Sequence, residues 1–237
     1  MDALLEPLVR DNDRLRFFHA TYTRTTRAFE AEVERGGFFD NEWTERWDVA
    51  FADLYLEALE RWSRGEEPSG PWQIAFGAAS EPLLPLRHVL LGINAHVNFD
   101  LPQALLAVIT DDEFDDPVVV AARSADHRHA DDILAARVPA EDRELWKETD
   151  PGALTLVDRM LTPLNRVGTK RFLKEARQKV WHNAKILSSA RRSGPEALRA
   201  RIRELEDLSA ARVADLRAPG QVVLKLAVRG FGVALKP

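Results

Sequence analysis

Cysteine is absent from all 237 residues. Thiolate catalysis, disulfides and Cys-ligated zinc or iron–sulfur sites are excluded with it. A reducing cytoplasm is the expected setting. The N-terminal Met1-Asp-Ala-Leu-Leu-Glu-Pro7 lacks the basic-then-apolar layout of a signal peptide. No uninterrupted apolar run reaches the roughly 18 residues of a spanning helix, so no transmembrane segment is expected. There is no GxGxxG, Walker loop, GxSxG or HExxH, and no serine in a nucleophile elbow. No βαβ alternation is visible, which argues against a nucleotide site on a parallel sheet. Internal repeats, low-complexity runs and an interdomain linker are also missing.

What is present is the composition of a globular chain: 45% hydrophobic, 30% charged, net charge −5. The length allows a sizeable core and suits one domain, residues 1–237. The slightly acidic balance argues against nucleic acid as a partner. The periodicities are helical. Leu15, Phe18, Tyr22 and Phe29 lie on one face of a first helix spanning 11–36. Trp47, Phe51, Leu54, Tyr55, Ala58, Leu59 and Trp62 recur at three and four in a second, from 43 to 62. Residues 63–71 read as a loop, and 72–79 as a short helix or irregular segment. Leu86, Val89, Leu90, Ile93 and Val97 form the stripe of a central helix, with Pro102 ending or kinking it near Asp100. Leu101 to Ile109 is a second buried helix or the continuation past the kink.

Residues 111–116 form an acidic loop, 139–150 a charged loop with a short helix, and 151–165 an apolar segment at helical spacing. In a helix over 170–192, Phe172, Ala176, Val180, Ala184 and Leu187 point inward while Arg171, Lys174, Arg177, Lys185 and Arg191 face outward. A charged helix covers 195–218. The tail, residues 221–237, is more apolar than a free end. Val222, Leu224, Leu226 and Val228 alternate, so a minor strand pair is open there, and the tail should dock on the body or on a second subunit in a homodimer. Peripheral membrane contact through it is the lesser alternative. The expected class is an all-α, single-domain multi-helix bundle.

The chemistry concentrates in Pro85–Pro102, an apolar stretch that nevertheless carries His88, Asn94, His96, Asn98 and Asp100. Buried polar groups need partners. His96 and Asp100, four apart, share a helical face. That spacing suits two metal ligands, and equally a buried His–Asp hydrogen bond; Asp100 also stands where an N-cap would. Asp48, flanked by Trp47, Val49 and Phe51, is either a half-buried carboxylate in need of a partner or a wet-side residue pairing with Arg46. His129 has Asp126 and Asp132 three residues to either side as orienting partners, against a plain polar helix face. His182 lies at the edge of an apolar stripe. His19 reads as a packed histidine, and His88 diverges from the Asp100 face.

Trp47-Asp-Val-Ala-Phe-Ala-Asp-Leu-Tyr55, Gly92-Ile-Asn-Ala-His-Val-Asn-Phe-Asp-Leu-Pro102 and the later His129 and Trp181 regions together resemble a bacterial family classed as a domain of unknown function, over residues 15–190. More weakly, His96-x-x-x-Asp100 is similar to the motif of zinc-dependent phospholipase C and related helical nucleases, which implies zinc and phosphoester hydrolysis. Those enzymes also carry a His-x-x-x-Glu and an N-terminal Trp ligand, neither of which stands here. Two functions follow. One is a metal-dependent hydrolase of phosphoester-type bonds, with a divalent Zn, Fe or Mn held by Asp48, His96, Asp100, His129 and His182, and Asp48, His96 and Asp100 as the catalytic set. The other is a non-enzymatic helical ligand-binding or protein-interaction module, in which the His/Asp cluster is a structural hydrogen-bond network. The sequence does not identify a small-molecule substrate or ligand for either.

Overall fold

A computed structural model describes the backbone of residues 1–149 and 156–237, and the side chains of these residues except 156–171 and 223. The elements in order are α1 (Asp2–Arg10), α2 (Leu15–Glu34), α3 (Asn41–Ser63), α4 (Gly70–Gly77), a 3-10 turn (Ala78–Ser80), α5 (Pro85–Ala95), a π-turn (His96–Asp100), α6 (Leu101–Val108), α7 (Asp111–Asp115), α8 (Pro117–Lys147), α9 (Leu156–Ser193), α10 (Pro195–Arg217) and α11 (Val222–Arg229). The fold is an all-α multi-helix arrangement, with no strand among the described residues.

The apolar stripes land where their periodicity puts them, except that Trp62, at the end of the α3 stripe, is exposed. Phe18, Tyr22 and Phe29 of α2, Trp47, Tyr55, Ala58 and Leu59 of α3, and Ala176, Val180, Ala184 and Leu187 of α9 are all buried. The start of α3 is fixed by Asp40, whose side chain accepts the Trp43 amide at 2.9 Å. Asp126 of α8 reaches the same corner, accepting the amides of Phe39 and Asp40 at 2.7 and 3.1 Å.

Several boundaries differ from expectation. The helix expected over 11–36 is α2, which starts only at Leu15, and a separate helix, α1, precedes it; the chain turns between them at Asn12, a non-glycine residue in the left-handed region at φ 53°. Residues 111–115 are a helical turn. Thr110 and Glu113 cap it reciprocally, and Arg191 holds Asp111 at 2.6 Å. Residues 139–147 continue α8 through Pro139. One backbone bond is lost there, while the Arg24–Glu141 ion pair at 2.5 Å and the buried Leu145 hold the continuation to the body. Of the apolar segment 151–165, residues 151–155 lie outside the described residues, as do the side chains of 156–165 and of Arg171. Arg177 and Arg191 do not face solvent: the first pairs with Asp131 and the second reaches the Leu106 and Ile109 carbonyls at 2.6 and 3.0 Å.

The tail packs on the body. Residues 222–229 form α11, so no strand pair arises among the described residues. The alternation that suited a strand is outweighed by Val222 and Leu226, which are four apart and bury together. Gly230, at φ 77°, stops the helix. Phe231, Val233 and Leu235 then bury along an extended stretch. Val222, Leu226, Phe231, Val233 and Leu235 are turned inward, while Leu224 and Val228 of α11 stay exposed. No helix among the described residues is long and apolar enough to cross a membrane.

Two aromatic-rich groups fill the interior. One gathers Phe29, Trp43, Trp47, Leu105, Ile109, Trp181 and Leu235. The other gathers Phe18, Tyr22, Tyr55, Trp72, Leu91, Val213 and Phe231. Val97, inside the π-turn, packs against both. The π-turn therefore lies at the seam of the core, touching α3, α9 and α10.

Candidate functional site at the π-turn

The run from Pro85 to Val108 neither ends nor sharply breaks at Asp100. The Leu101 amide reaches back five residues to the His96 carbonyl, which defines the π-turn. Pro102 has no amide to donate, and its ring would crowd the carbonyl four residues before it. The wider turn accommodates both conditions. Asp100 keeps helical backbone angles and its side chain caps nothing. Its carboxylate turns inward instead.

There Asp100 Oδ2 meets His96 Nδ1 at 2.9 Å and accepts the indole N–H of Trp72 at 2.9 Å. All three side chains are buried. The imidazole stacks flat on Phe51, centroids 3.5 Å apart, and Tyr22 meets it edge-on at 4.8 Å. Burial drives His96 down and Asp100 up, and their mutual contact pulls each the other way. His96 Nε2 is buried without a partner. The space beside Trp72, Phe18 and His88 holds only about 10 Å³, room for one water at most.

Asp48 is half-buried on α3. Burial, and secondarily the charge of Glu30, push its carboxyl up to about 7. Its charge in turn adds to the burial that raises the Tyr22 phenol. The pairing with Arg46 does not form; Arg46 bonds Glu42. Asp53 is exposed.

The remaining histidines have other work. His129 Nε2 binds Glu32 at 2.9 Å, not Asp126 or Asp132. His182 Nε2 donates to the Leu235 carbonyl at 3.0 Å. His19 Nε2 donates to the Met1 carbonyl at 2.9 Å, which leaves Nδ1 to accept the Tyr55 hydroxyl at 2.7 Å. His88 stacks on Phe17, and burial lowers it to about 4. Among the described residues no three His, Asp or Glu side chains converge as a metal ion requires. The five residues expected to form a metal centre are thus scattered: His96 and Asp100 together, Asp48 on the neighbouring helix, His129 and His182 engaged elsewhere.

Three further residues were assigned no role from the sequence. His127 is buried against Trp47, and Trp181 donates its indole N–H to His127 Nδ1 at 3.1 Å. An indole can only donate, so Nδ1 is the bare nitrogen and the neutral ring carries its proton on Nε2. Burial, helped by Arg177, lowers His127 to about 3. Asn98 and Asn183 are the other two. Each grips the extended tail with both ends of its amide: Asn98 holds the Phe231 carbonyl and Val233 amide, both at 3.2 Å, and Asn183 the Val233 carbonyl and Leu235 amide at 3.1 and 2.9 Å. The signal for Asn98 was available, as a polar residue in an apolar run; nothing local marked its partner.

Residues 1–219 match a family of unknown function, DUF5995, and the chain belongs to that family. No curated protein and no solved structure matches it.

Proposed function

We propose that this member of the family is a non-enzymatic helical protein-interaction module, and that His96, Asp100 and Trp72 form a structural network inside it. The carrying observation is the use made of the polar side chains of the π-turn and of α9. Asn98, Asn183 and His182 hold the backbone of an extended peptide segment, while His96 and Asp100 bind each other under aromatic rings. Such a network fixes helix packing because no member can leave without stranding another in a low-dielectric interior.

A second reading has one observation in its favour. The unpartnered His96 Nε2 is the kind of donor a divalent Zn, Fe or Mn would take, and Asp48 lies on the adjacent helix. That would return the chain to hydrolysis of a phosphoester-type bond. Against it, His129 and His182 are bonded to Glu32 and to the Leu235 carbonyl.

The test is elemental analysis of the purified chain, with melting temperature followed against chelator and against added zinc, manganese and iron. The interaction-module reading expects no stoichiometric metal and no response. His96→Ala destabilises under either reading, by roughly 1–3 kcal/mol for the partner left unsatisfied. Stoichiometric metal lost with that substitution would overturn the proposal.

A further inference from the structure

From Phe231 to Lys236 the chain runs extended along α9, and most of its backbone polar groups, those of Ala234 excepted, meet a side chain of the body. Glu175 accepts the Phe231 amide at 3.3 Å, and Lys179 donates to the Gly232 carbonyl at 2.8 Å. Asn98 and Asn183 follow in the register given above, then His182 on the Leu235 carbonyl and Arg201 on the Lys236 carbonyl at 3.2 Å. Four of these side chains, Glu175, Lys179, His182 and Asn183, form a stripe at spacings of four, three and one along α9. Both asparagines are buried.

Two features distinguish this from ordinary tail packing. First, the amide pairs read backbone rather than side chain. An asparagine that donates to one carbonyl and accepts from the amide two residues on stands in for a neighbouring β-strand. Main-chain bonds of this kind hold an extended peptide, and pockets for alternate side chains select it. Here the alternate side chains are Phe231, Val233 and Leu235, all buried, with Ala234 exposed. At Gly232 a Cβ would come within 2.7 Å of Lys179 Cδ and 3.3 Å of Lys179 Cβ, so any larger residue there must displace the lysine that holds the Gly232 carbonyl. Second, every side chain of the groove lies within residues 1–219, the part matched to the family, whereas the occupant lies beyond it.

We infer that this groove is a docking site for an extended segment of another protein, bulky and apolar at alternate positions with glycine between the first two, and that the chain's own C-terminus fills it as a tethered competitor. The inference rests on the interaction-module reading and names the surface and the partner chemistry. A tethered occupant acts at an effective concentration of order millimolar. A partner must therefore bind well below that, or act when the tail is loosened.

The test uses the full chain and a fluorescent peptide, Arg-Gly-Phe-Gly-Val-Ala-Leu-Lys-Pro, copied from residues 229–237. The double substitution Phe231→Ala, Leu235→Ala loosens the resident tail. The loosened chain should bind the peptide by anisotropy, and the wild-type chain at least tenfold more weakly. Asn98→Ala with Asn183→Ala in the loosened chain should abolish binding. A peptide carrying Gly232→Val should bind at least tenfold more weakly. Should the asparagine variants fail to fold, a peptide N-methylated at Val233 and Leu235 removes the two bonds its amides donate to the asparagines without touching the protein, and it should bind at least tenfold more weakly. No binding by the loosened chain, or binding indifferent to both asparagines or to N-methylation, overturns the inference. A wild-type chain that sediments as a dimer exchanging tails would make the occupant a second copy and overturn it as well. A metal requirement at His96 would remove the interaction-module reading without deciding the titration. A failed titration without any metal response would remove the groove alone.

Discussion

Asp48 offers the sharpest test of how the seam of the core is charged. Its carboxyl rises from an ordinary 3.8 to about 7 because burial penalises the ion and Glu30 adds repulsion. The folded state therefore keeps a proton that the unfolded chain releases. The sign follows: Asp48 makes its smallest demand below pH 4, and the penalty grows as pH rises from about 4 to 7 and then levels off. At roughly 1.36 kcal/mol for each tenfold change in proton affinity, the full penalty above pH 7 is about 4 kcal/mol. Asp48 is half-buried, and screening by water reduces that to about 1–3 kcal/mol. Asp48→Asn keeps the shape and removes the charge. Urea unfolding should find the variant more stable than wild type by that amount at pH 8, with the gain gone at pH 4. The opposite result at pH 8, a loss of stability, would refute the reasoning, because it would mean the carboxylate has a cation or metal that the arrangement of side chains does not supply.

The buried His127, held neutral by burial and by the Trp181 indole, should show imidazole signals of the Nε2–H tautomer without titrating between pH 8 and pH 5; a midpoint near 6.5 by nuclear magnetic resonance would disprove its burial. Gly92→Ala places a Cβ about 2.4 Å from the Phe18 ring and should destabilise the α2–α5 contact by roughly 1–3 kcal/mol in a denaturant melt, whereas a neutral effect would mean the helices separate freely. Arg191→Ala strands the Leu106 and Ile109 carbonyls and leaves Asp111 with the Ser188 hydroxyl alone of its two side-chain partners, which should cost about 1–3 kcal/mol; equal unfolding midpoints would show that water replaces the guanidinium.

Helix positions were legible because burial imposes its period on the sequence. The α3 stripe from Trp47 to Leu59 and the α9 stripe from Ala176 to Leu187 could be assigned from spacing alone. The failures have a common cause. Pro139 read as the start of a loop, yet α8 continues through it, because tertiary contacts such as Arg24 on Glu141 outweigh one lost backbone bond. The acidic run at 111–116 read as solvated, yet Arg191 and Arg192 from a helix some 80 residues later turn it into a capped, paired turn. Periodicity carries information about which face is dry. It carries none about which distant charge will arrive.

The same limit governs the site. That His96 and Asp100 would meet was readable from their spacing, and that Asn98 needed a partner was readable from its neighbours. Whether the pair would gather further ligands depended on His129 and His182. Their commitments are set by Glu32, 97 residues away, and by the carbonyl of Leu235, 53 residues away. A histidine is a metal-ligand candidate in sequence only because its other options are invisible there. Main-chain carbonyls are the most abundant of those options, and they leave no mark in composition or spacing. His182 illustrates this: counted as a ligand for a cation, it is a donor to peptide backbone, and with Asn98, Asn183, Lys179 and Glu175 it belongs to a surface shaped for an extended chain. The unit of function that the sequence hid was not a residue type but a stripe, four polar side chains along one edge of α9, interleaved with the apolar stripe that made the helix recognisable.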